Sequence, residues 1–191
     1  MMYPFRKKRT IFLVAIALIL LGFAAYGATK LVPASWAPSS DQPSQPPYVV
    51  PALTKEYDNS IYNFSLKMPA DFTAQDIPGD PDGTPETIVL QDQNDNGIQI
   101  AVSPFDEDTT GSYTLTADRI HQDVPDLEIL DPQPVEVGEH YTGLAFKSNN
   151  DAFGGDSREV WFVFRGNLYQ ISTYARLDDL LRQIFQTWQF R

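Results

Sequence analysis

An uncharged run of apolar residues near the N-terminus, residues 11–28, constrains this chain more than any other feature. As an α-helix rising about 1.5 Å per residue, the run extends roughly 27 Å, close to the ~30 Å hydrocarbon core of a bilayer. A charge at the centre of such a helix would cost a few kcal/mol, and the run contains none. Residues 11–28 are therefore predicted to form one transmembrane helix.

The charges around this run predict its orientation. Four consecutive basic residues, 6–9, precede the run, and only Lys30 follows it closely. By the positive-inside rule, residues 1–10 are a cytoplasmic N-terminus and the rest of the chain crosses the membrane. The alternative is a cleaved signal peptide, but Ala25-Tyr26-Gly27 fits a cleavage site only modestly and the run exceeds the usual apolar core of ~7–15 residues. We therefore favour a retained signal-anchor in the cell membrane with an extracytoplasmic domain.

A stretch rich in proline and serine, residues 29–53, separates this anchor from the predicted domain. Proline fixes φ and lacks an N–H group, so the stretch cannot form a helix or a central strand. It is predicted to be a semi-rigid, extended spacer. The folded domain is predicted to occupy residues 54–191. The prolines are Pro33, Pro38, Pro43, Pro46, Pro47 and Pro51.

The predicted domain is strongly acidic. Residues 54–191 contain 24 Asp and Glu against 9 Lys and Arg, a formal charge of 9 − 24 = −15. Such a surface repels phosphate, so we expect no nucleic-acid partner. The chain has no cysteine, which excludes disulfides, thiolate metal sites and cysteine nucleophiles.

Alternating and continuous apolar runs predict a mostly β domain. The turn at residues 92–97 ends in Asn96-Gly97, a strong hairpin signal. Residues 159–164 and 168–174 are rich in aromatic and β-branched residues, as central strands are. The predicted strands are residues 62–68, which end at Pro69, then 87–90, 98–102, 135–137, 141–146, 159–164 and 168–174.

Two helices accompany these strands. The first is predicted over residues 113–124, capped by Ser112 or Thr114 and stopped by Pro125. The second carries one apolar stripe near the C-terminus, formed by Leu177, Leu180, Leu181, Ile184, Phe185 and Trp188. The strand at residues 159–164 is apolar on both faces, which indicates a sheet covered on both sides. The sequence thus predicts an α+β fold, a largely antiparallel sheet with a helix on each face.

Three segments together resemble the PsbP-like family. They are the opening residues 57–66 with Pro69, the strand pair 161–164 and 167–171, and the last helix running into Thr187-Trp188-Gln189-Phe190. The resemblance spans roughly residues 57–190. It implies an α/β/α sandwich and a binding or assembly role, as in extracytoplasmic, membrane-tethered bacterial members. It supplies no catalytic residues. Plant-type members assist photosystem II, but nothing in this sequence supports that role.

One motif has partial calcium-loop character. Residues 92–97 match the first half of such a loop, so Asp92, Asn94 and Asn96 are candidate Ca²⁺ ligands. Calcium needs six or more oxygen atoms, and the bidentate glutamate of position twelve is replaced by Ser103. A polar hairpin tip explains the motif better. Weak calcium binding is the remaining hypothesis, and no other cofactor is predicted.

Other polar clusters have simpler explanations. Residues 106–108 are interpreted as a solvated acidic loop, and residues 153–156 as a flexible glycine-rich loop. His121 and His140 are interpreted as surface residues. The aromatic residues that could line a pocket are interpreted as core, namely Trp161, Tyr169, Tyr174, Phe185 and Trp188.

These observations favour a non-enzymatic, membrane-anchored extracytoplasmic module that binds or helps assemble another envelope component, with an envelope protein as one candidate partner. Its membrane contact is through residues 11–28. One alternative is an envelope hydrolase, although no nucleophile motif appears in the sequence. The other alternative is a weak calcium-binding module at the 92–97 turn.

Overall fold

A computed structural model describes residues 48–79, 85–105, 114–139 and 141–191 of the chain. The predicted anchor and most of the predicted spacer lie outside these residues. Within them, no helix has both the length and the apolar character needed to cross a membrane. Tyr48 and Val50, in the predicted spacer, are partly buried and pack against the domain core.

The described chain is a mostly antiparallel β domain with two α-helices, which confirms that prediction. The helices are α1 (Ala117–Asp123) and α2 (Asp178–Thr187). The strands are β1 (Leu53–Asn59), β2 (Phe64–Pro69), β3 (Thr73–Ile77), β4 (Glu86–Gln91), β5 (Gly97–Pro104), β6 (Leu130–Val137), β7 (Tyr141–Ser148), β8 (Ser157–Phe164), β9 (Asn167–Tyr174) and β10 (Gln189–Phe190).

The strands form two sheets. Seven strands pair antiparallel in the order β3-β4-β5-β9-β8-β7-β6, so β9 and β8 lie inside the sheet, as their composition predicts. Ile171 of β9 lies between Ile100 of β5 and Val160 of β8. The other three strands form a smaller antiparallel sheet in the order β1-β2-β10.

The main apolar core lies between one face of the seven-stranded sheet and a layer made of α2 and the small sheet. Phe64 stacks on Trp188 with ring centroids 4.4 Å apart, and Phe162 stacks on Tyr169 at 4.8 Å. All four aromatic residues are almost fully buried. The apolar stripe of α2 faces this core through Leu180, Leu181, Ile184 and Phe185.

A smaller apolar cluster lies on the opposite face of the same sheet. There Ile120 of α1 packs with Phe146 and Trp161, and Phe105 and Leu168 complete the contact. Because Val160 and Phe162 of β8 belong to the main core and Trp161 belongs to this cluster, β8 is apolar on both faces. The two helices therefore cover opposite faces of the sheet.

Several boundaries differ from the prediction. Helix α1 begins at Ala117 rather than residue 113, because the Thr116 hydroxyl accepts a hydrogen bond from the Arg119 N–H at 3.2 Å and caps the helix there. Thr114 lies before the helix, and Ser112 lies outside the described residues. Strand β6 begins at Leu130 and passes through Pro132 and Pro134. Proline is tolerated there because β6 is an edge strand whose outer N–H groups need no partner.

Candidate functional site

The three predicted calcium ligands do come together, in the turn between β4 and β5. Asp92 Oδ1 accepts hydrogen bonds from the N–H groups of Asn94 at 2.8 Å and Asn96 at 2.9 Å. The Asn96 side-chain amide donates to Asp92 Oδ2 at 2.6 Å. Burial alone would raise the pKa of Asp92, but the hydrogen bonds from Asn96 and Asn94 outweigh it and lower that pKa.

A positively charged side chain, that of Arg176, already contacts the same turn. The Arg176 guanidinium donates a hydrogen bond to Asn96 Oδ1. Both Asp92 oxygens and this Asn96 oxygen therefore accept hydrogen bonds from the protein, and a Ca²⁺ ion would have to displace them. Across the described ranges, no three His, Asp or Glu side chains are grouped so that they could hold a metal ion. The calcium hypothesis stays a prediction.

A buried carboxyl group on β8, which sequence reasoning missed, forms a second polar cluster. Glu159 is 2% exposed. Its Oε1 accepts hydrogen bonds from Ser157 Oγ at 2.9 Å and from Asn150 Nδ2 at 3.2 Å. Its Oε2 accepts from Ser172 Oγ at 2.5 Å and from Trp161 Nε1 at 3.5 Å. An acidic residue inside a predicted central strand was the signal that could have identified this cluster.

The Glu159 cluster is enclosed by the protein and does not have the form of a catalytic site. Burial raises the pKa of Glu159, while its hydrogen bonds with Ser172, Ser157, Asn150 and Trp161 oppose that rise. Both serines that donate to this carboxyl group are almost fully buried, so neither hydroxyl is placed to meet a substrate. His121 is exposed on α1, and His140 and the acidic residues 106–108 lie outside the described part of the chain.

An open groove of about 290 Å³ lies between α2 and the strands β6, β7 and β8. Its floor is apolar, formed by Ala145, Val160, Leu181 and Phe185, all of which are almost fully buried. Phe185 thus serves both the core and the groove. Strand β6 supplies Val135 and Glu136, and α2 supplies Asp178, Arg182 and Gln186, while Arg158 comes from β8.

Two arginines converge on one aspartate at an end of this groove. Arg158 Nε lies 2.9 Å from Asp178 Oδ1, and Arg182 Nη2 donates to Asp178 Oδ2 at 2.8 Å. Asp178 lies in the first turn of α2, where the helix dipole favours a negative charge. The Arg158 side chain is 14% exposed, whereas that of Arg182 is 64% exposed. The groove therefore has a cationic end beside an apolar floor.

The other residues considered in the sequence analysis are the aromatic residues interpreted as core and the glycine-rich segment. Trp161, Tyr169 and Trp188 are buried in the two clusters, as predicted, and Tyr174 is partly buried against the main core. Residues 151–153 form a short 3-10 turn, and Gly154 and Gly155 follow it with φ values of 71° and 78°. They form a tight turn before β8.

Comparisons with known proteins give similarity of structure only. No protein-family model matches the sequence, and no curated protein sequence is significantly similar to it. The domain is similar to the solution structure of cyanobacterial PsbP (CyanoP) from Synechocystis sp. PCC 6803, with a TM-score of 0.46 and 12% sequence identity over 72% of this chain and 92% of that chain. It is also similar to a crystal structure from Bacteroides thetaiotaomicron VPI-5482, with a TM-score of 0.45 and 13% identity over 73% of this chain and 49% of that chain.

Proposed function

We propose that this chain is a membrane-anchored, extracytoplasmic binding or assembly module with a PsbP-like domain, and that the groove beside α2 is its binding site. The uncharged run at residues 11–28 and the basic residues before it support the anchor and its orientation. The proline-rich spacer supports a domain displaced from the bilayer. The groove is the observation that carries the binding role.

The groove has the general form of a ligand site. Such sites are concave and mostly apolar, with a few polar groups that orient the ligand. Here Val160 and Phe185 supply apolar floor, and Arg158 supplies the polar group. Its volume of about 290 Å³ lies just below the roughly 300–1,000 Å³ that is common for small-molecule sites. It suits a small ligand or one narrow part of a larger partner.

The hydrolase alternative has less support in the same structure. Ser157 and Ser172, which donate to the buried Glu159, are themselves only 0% and 4% exposed. A serine nucleophile needs access to its substrate as well as a neighbouring base that accepts its proton. In the part of the chain that the structure describes, no histidine contacts either serine. The geometry therefore favours binding over covalent catalysis.

Photo-crosslinking in the full-length chain tests the proposed site. A photoreactive benzoyl-phenylalanine replaces Gln186, which lines the groove, or Gln122, which is exposed on α1. In native membranes we expect a discrete envelope component to be crosslinked from position 186 and not from position 122. Equal labelling from both positions, or none from position 186, would overturn the proposal.

A further inference from the structure

We infer that the groove beside α2 binds a free fatty acid, with its aliphatic chain on the apolar floor and its carboxylate on Arg158. This inference rests on the proposed function, because it names the ligand of the same site. Three features of the groove support it. They are the guanidinium of Arg158, which has donors that the protein does not use, the apolar floor, and the distribution of charge.

The guanidinium of Arg158 has more hydrogen-bond donors than the protein uses. Arginine carries five N–H donors. Asp178 is the ionic partner of Arg158 among the described residues. The buried Arg158 Nε lies 2.9 Å from Asp178 Oδ1 without hydrogen-bond alignment, so the terminal Nη groups are the donors that remain for a ligand. A guanidinium in this condition is suited to a carboxylate, which it can bind through two parallel hydrogen bonds.

The floor suits a narrow aliphatic chain. Ala145 and Val160 are paired neighbours on β7 and β8, and Leu181 and Phe185 face them from α2. None of these four side chains has a polar atom, so they offer a ligand apolar contact. Each methylene group moved from water onto such a surface strengthens binding by up to about fourfold.

The charges favour one negative group at one end of the ligand. Arg158 and Arg182 outnumber Asp178 among the groove residues at that end, in a domain that is otherwise strongly acidic. Asp179 lies 3.7 Å from Arg182, and water and salt screen both of these side chains, which are 75% and 64% exposed. The charge of Arg158, whose side chain is 14% exposed, is screened least. Glu136 lines another part of the groove and would repel a second anionic group. A monocarboxylate with an uncharged tail fits this arrangement better than an amine or a dicarboxylate.

The test uses the full-length chain in lipid nanodiscs and three probes with the same diazirine-bearing ten-carbon chain. The probes end in a carboxylate, an alcohol or an amine, and they are compared at equal free concentration because the head group changes how strongly each probe partitions into lipid. Adducts are located by mass spectrometry. We expect the carboxylate probe to label peptides of β7, β8 or α2 that line the groove, about tenfold more than the alcohol probe does. Unlabelled decanoate should compete.

Variants assign this preference to Arg158. Arg158→Gln should lower groove labelling by the carboxylate probe about tenfold, and Arg158→Lys should retain part of it. The matched control is Arg165→Gln, in the turn between β8 and β9 and away from the groove, which should label like the unaltered protein. Thermal unfolding checks that each variant is folded. If Arg158→Gln is not folded, the comparison of the three probes on the unaltered protein decides.

Each outcome separates this inference from the proposed function. Equal labelling by the three probes, or carboxylate labelling that Arg158→Gln leaves unchanged, would overturn the fatty-acid ligand. Competition by a short apolar peptide with a free carboxyl end, but not by decanoate, would also overturn it. In either case, a crosslink from position 186 to an envelope component would leave the binding role standing. If neither the carboxylate preference nor the crosslink from position 186 is found, both the fatty-acid ligand and the binding role are wrong.

Discussion

Glu159 is held inside the sheet by hydrogen bonds alone, because no lysine or arginine in the described part of the chain forms an ion pair with it. Burial disfavours its charged form and raises its pKa. A group with a raised pKa in the folded state contributes stability that is complete below its unfolded pKa, and that contribution is lost as the pH rises through the folded value.

The pH dependence of stability therefore tests this residue. We expect the free energy of unfolding to fall as the pH rises above the ordinary glutamate pKa of 4.5, by at most about 1.4 kcal/mol per pH unit from this one group. Glu159→Gln cannot ionise, so its stability should fall less over the same range. Chemical denaturation followed by tryptophan fluorescence measures both. Parallel pH profiles for the two proteins would contradict the raised pKa.

The hydrogen bonds to Glu159 give a second prediction. Below the ordinary glutamate pKa of 4.5, Glu159→Ala should cost about 2–3 kcal/mol, because the buried Ser157, Ser172 and Trp161 donors lose their acceptor. Asp126→Ala, at an exposed turn, is the matched control and should change the free energy of unfolding by less than about 0.5 kcal/mol. Equal losses from the two substitutions, in the same denaturation assay, would show that the cluster is not structurally important.

Among the elements, the hairpin of β4 and β5 depends on its turn. Asp92→Ala removes the acceptor of the Asn94 and Asn96 N–H groups and should cost about 1–2 kcal/mol. Since the oxygens of Asp92 and Asn96 already accept hydrogen bonds, we expect the same cost with and without millimolar Ca²⁺. Differential scanning calorimetry measures both conditions. A rise in Tm with calcium, seen in the unaltered protein and absent from Asp92→Ala, would support the calcium-binding alternative instead.

The turn between β6 and β7 packs directly against the end of α2. Gly138 has a φ of 61° and its N–H donates to the Phe185 carbonyl at 3.1 Å, while a Cβ atom on Gly138 would lie 2.5 Å from the Trp188 carbonyl oxygen. Gly138→Ala should therefore cost about 2–4 kcal/mol, from the left-handed backbone and the steric contact together. Gly155→Ala has a similarly positive φ but open space around it, so it should cost only about 1–2 kcal/mol. If Gly138→Ala and Gly155→Ala lose similar amounts of stability, the proposed steric contact at Gly138 is wrong.

The elements with their own apolar pattern were predicted from the sequence, and those without one were not. Strands β4, β5, β8 and β9 and helix α2 carry such patterns. Strand β3 reads Thr-Ala-Gln-Asp-Ile and is exposed along most of its length, and β1 has only two buried residues. Their strand conformation comes from pairing with β4 and β2. Local composition does not encode that pairing.

The groove could not be predicted for a related reason. Its residues come from β6, β7, β8 and α2, and the strand order and the position of α2 bring them together. The spacing of Asp178 and Arg182 on one helix face indicates an ion pair. Nothing in that spacing indicates that Arg158, twenty residues earlier on β8, joins them.

At the scale of the whole molecule, the absence of cysteine from the sequence allows a direct test of orientation. We expect Ser44→Cys, in the predicted spacer, to react with a membrane-impermeant maleimide in intact cells or spheroplasts. Tyr3→Cys should react only after the membrane is permeabilised. Both proteins should sediment with membranes. A mature protein that lacks position 3 would show instead that residues 11–28 are a cleaved signal peptide.

The three-stranded sheet has a consequence for biosynthesis. Strand β10 pairs with β2, and Lys67 N–H donates to Thr187 Oγ1 across 120 positions of sequence. The ribosome synthesises β1 and β2 long before β10. During translation, the edge of β2 that later pairs with β10 therefore has no partner strand. A nascent chain stalled before residue 188 would also lack the Trp188 ring that stacks on Phe64. Such truncated chains should be substrates for chaperones and quality-control proteases, whereas the finished domain should not.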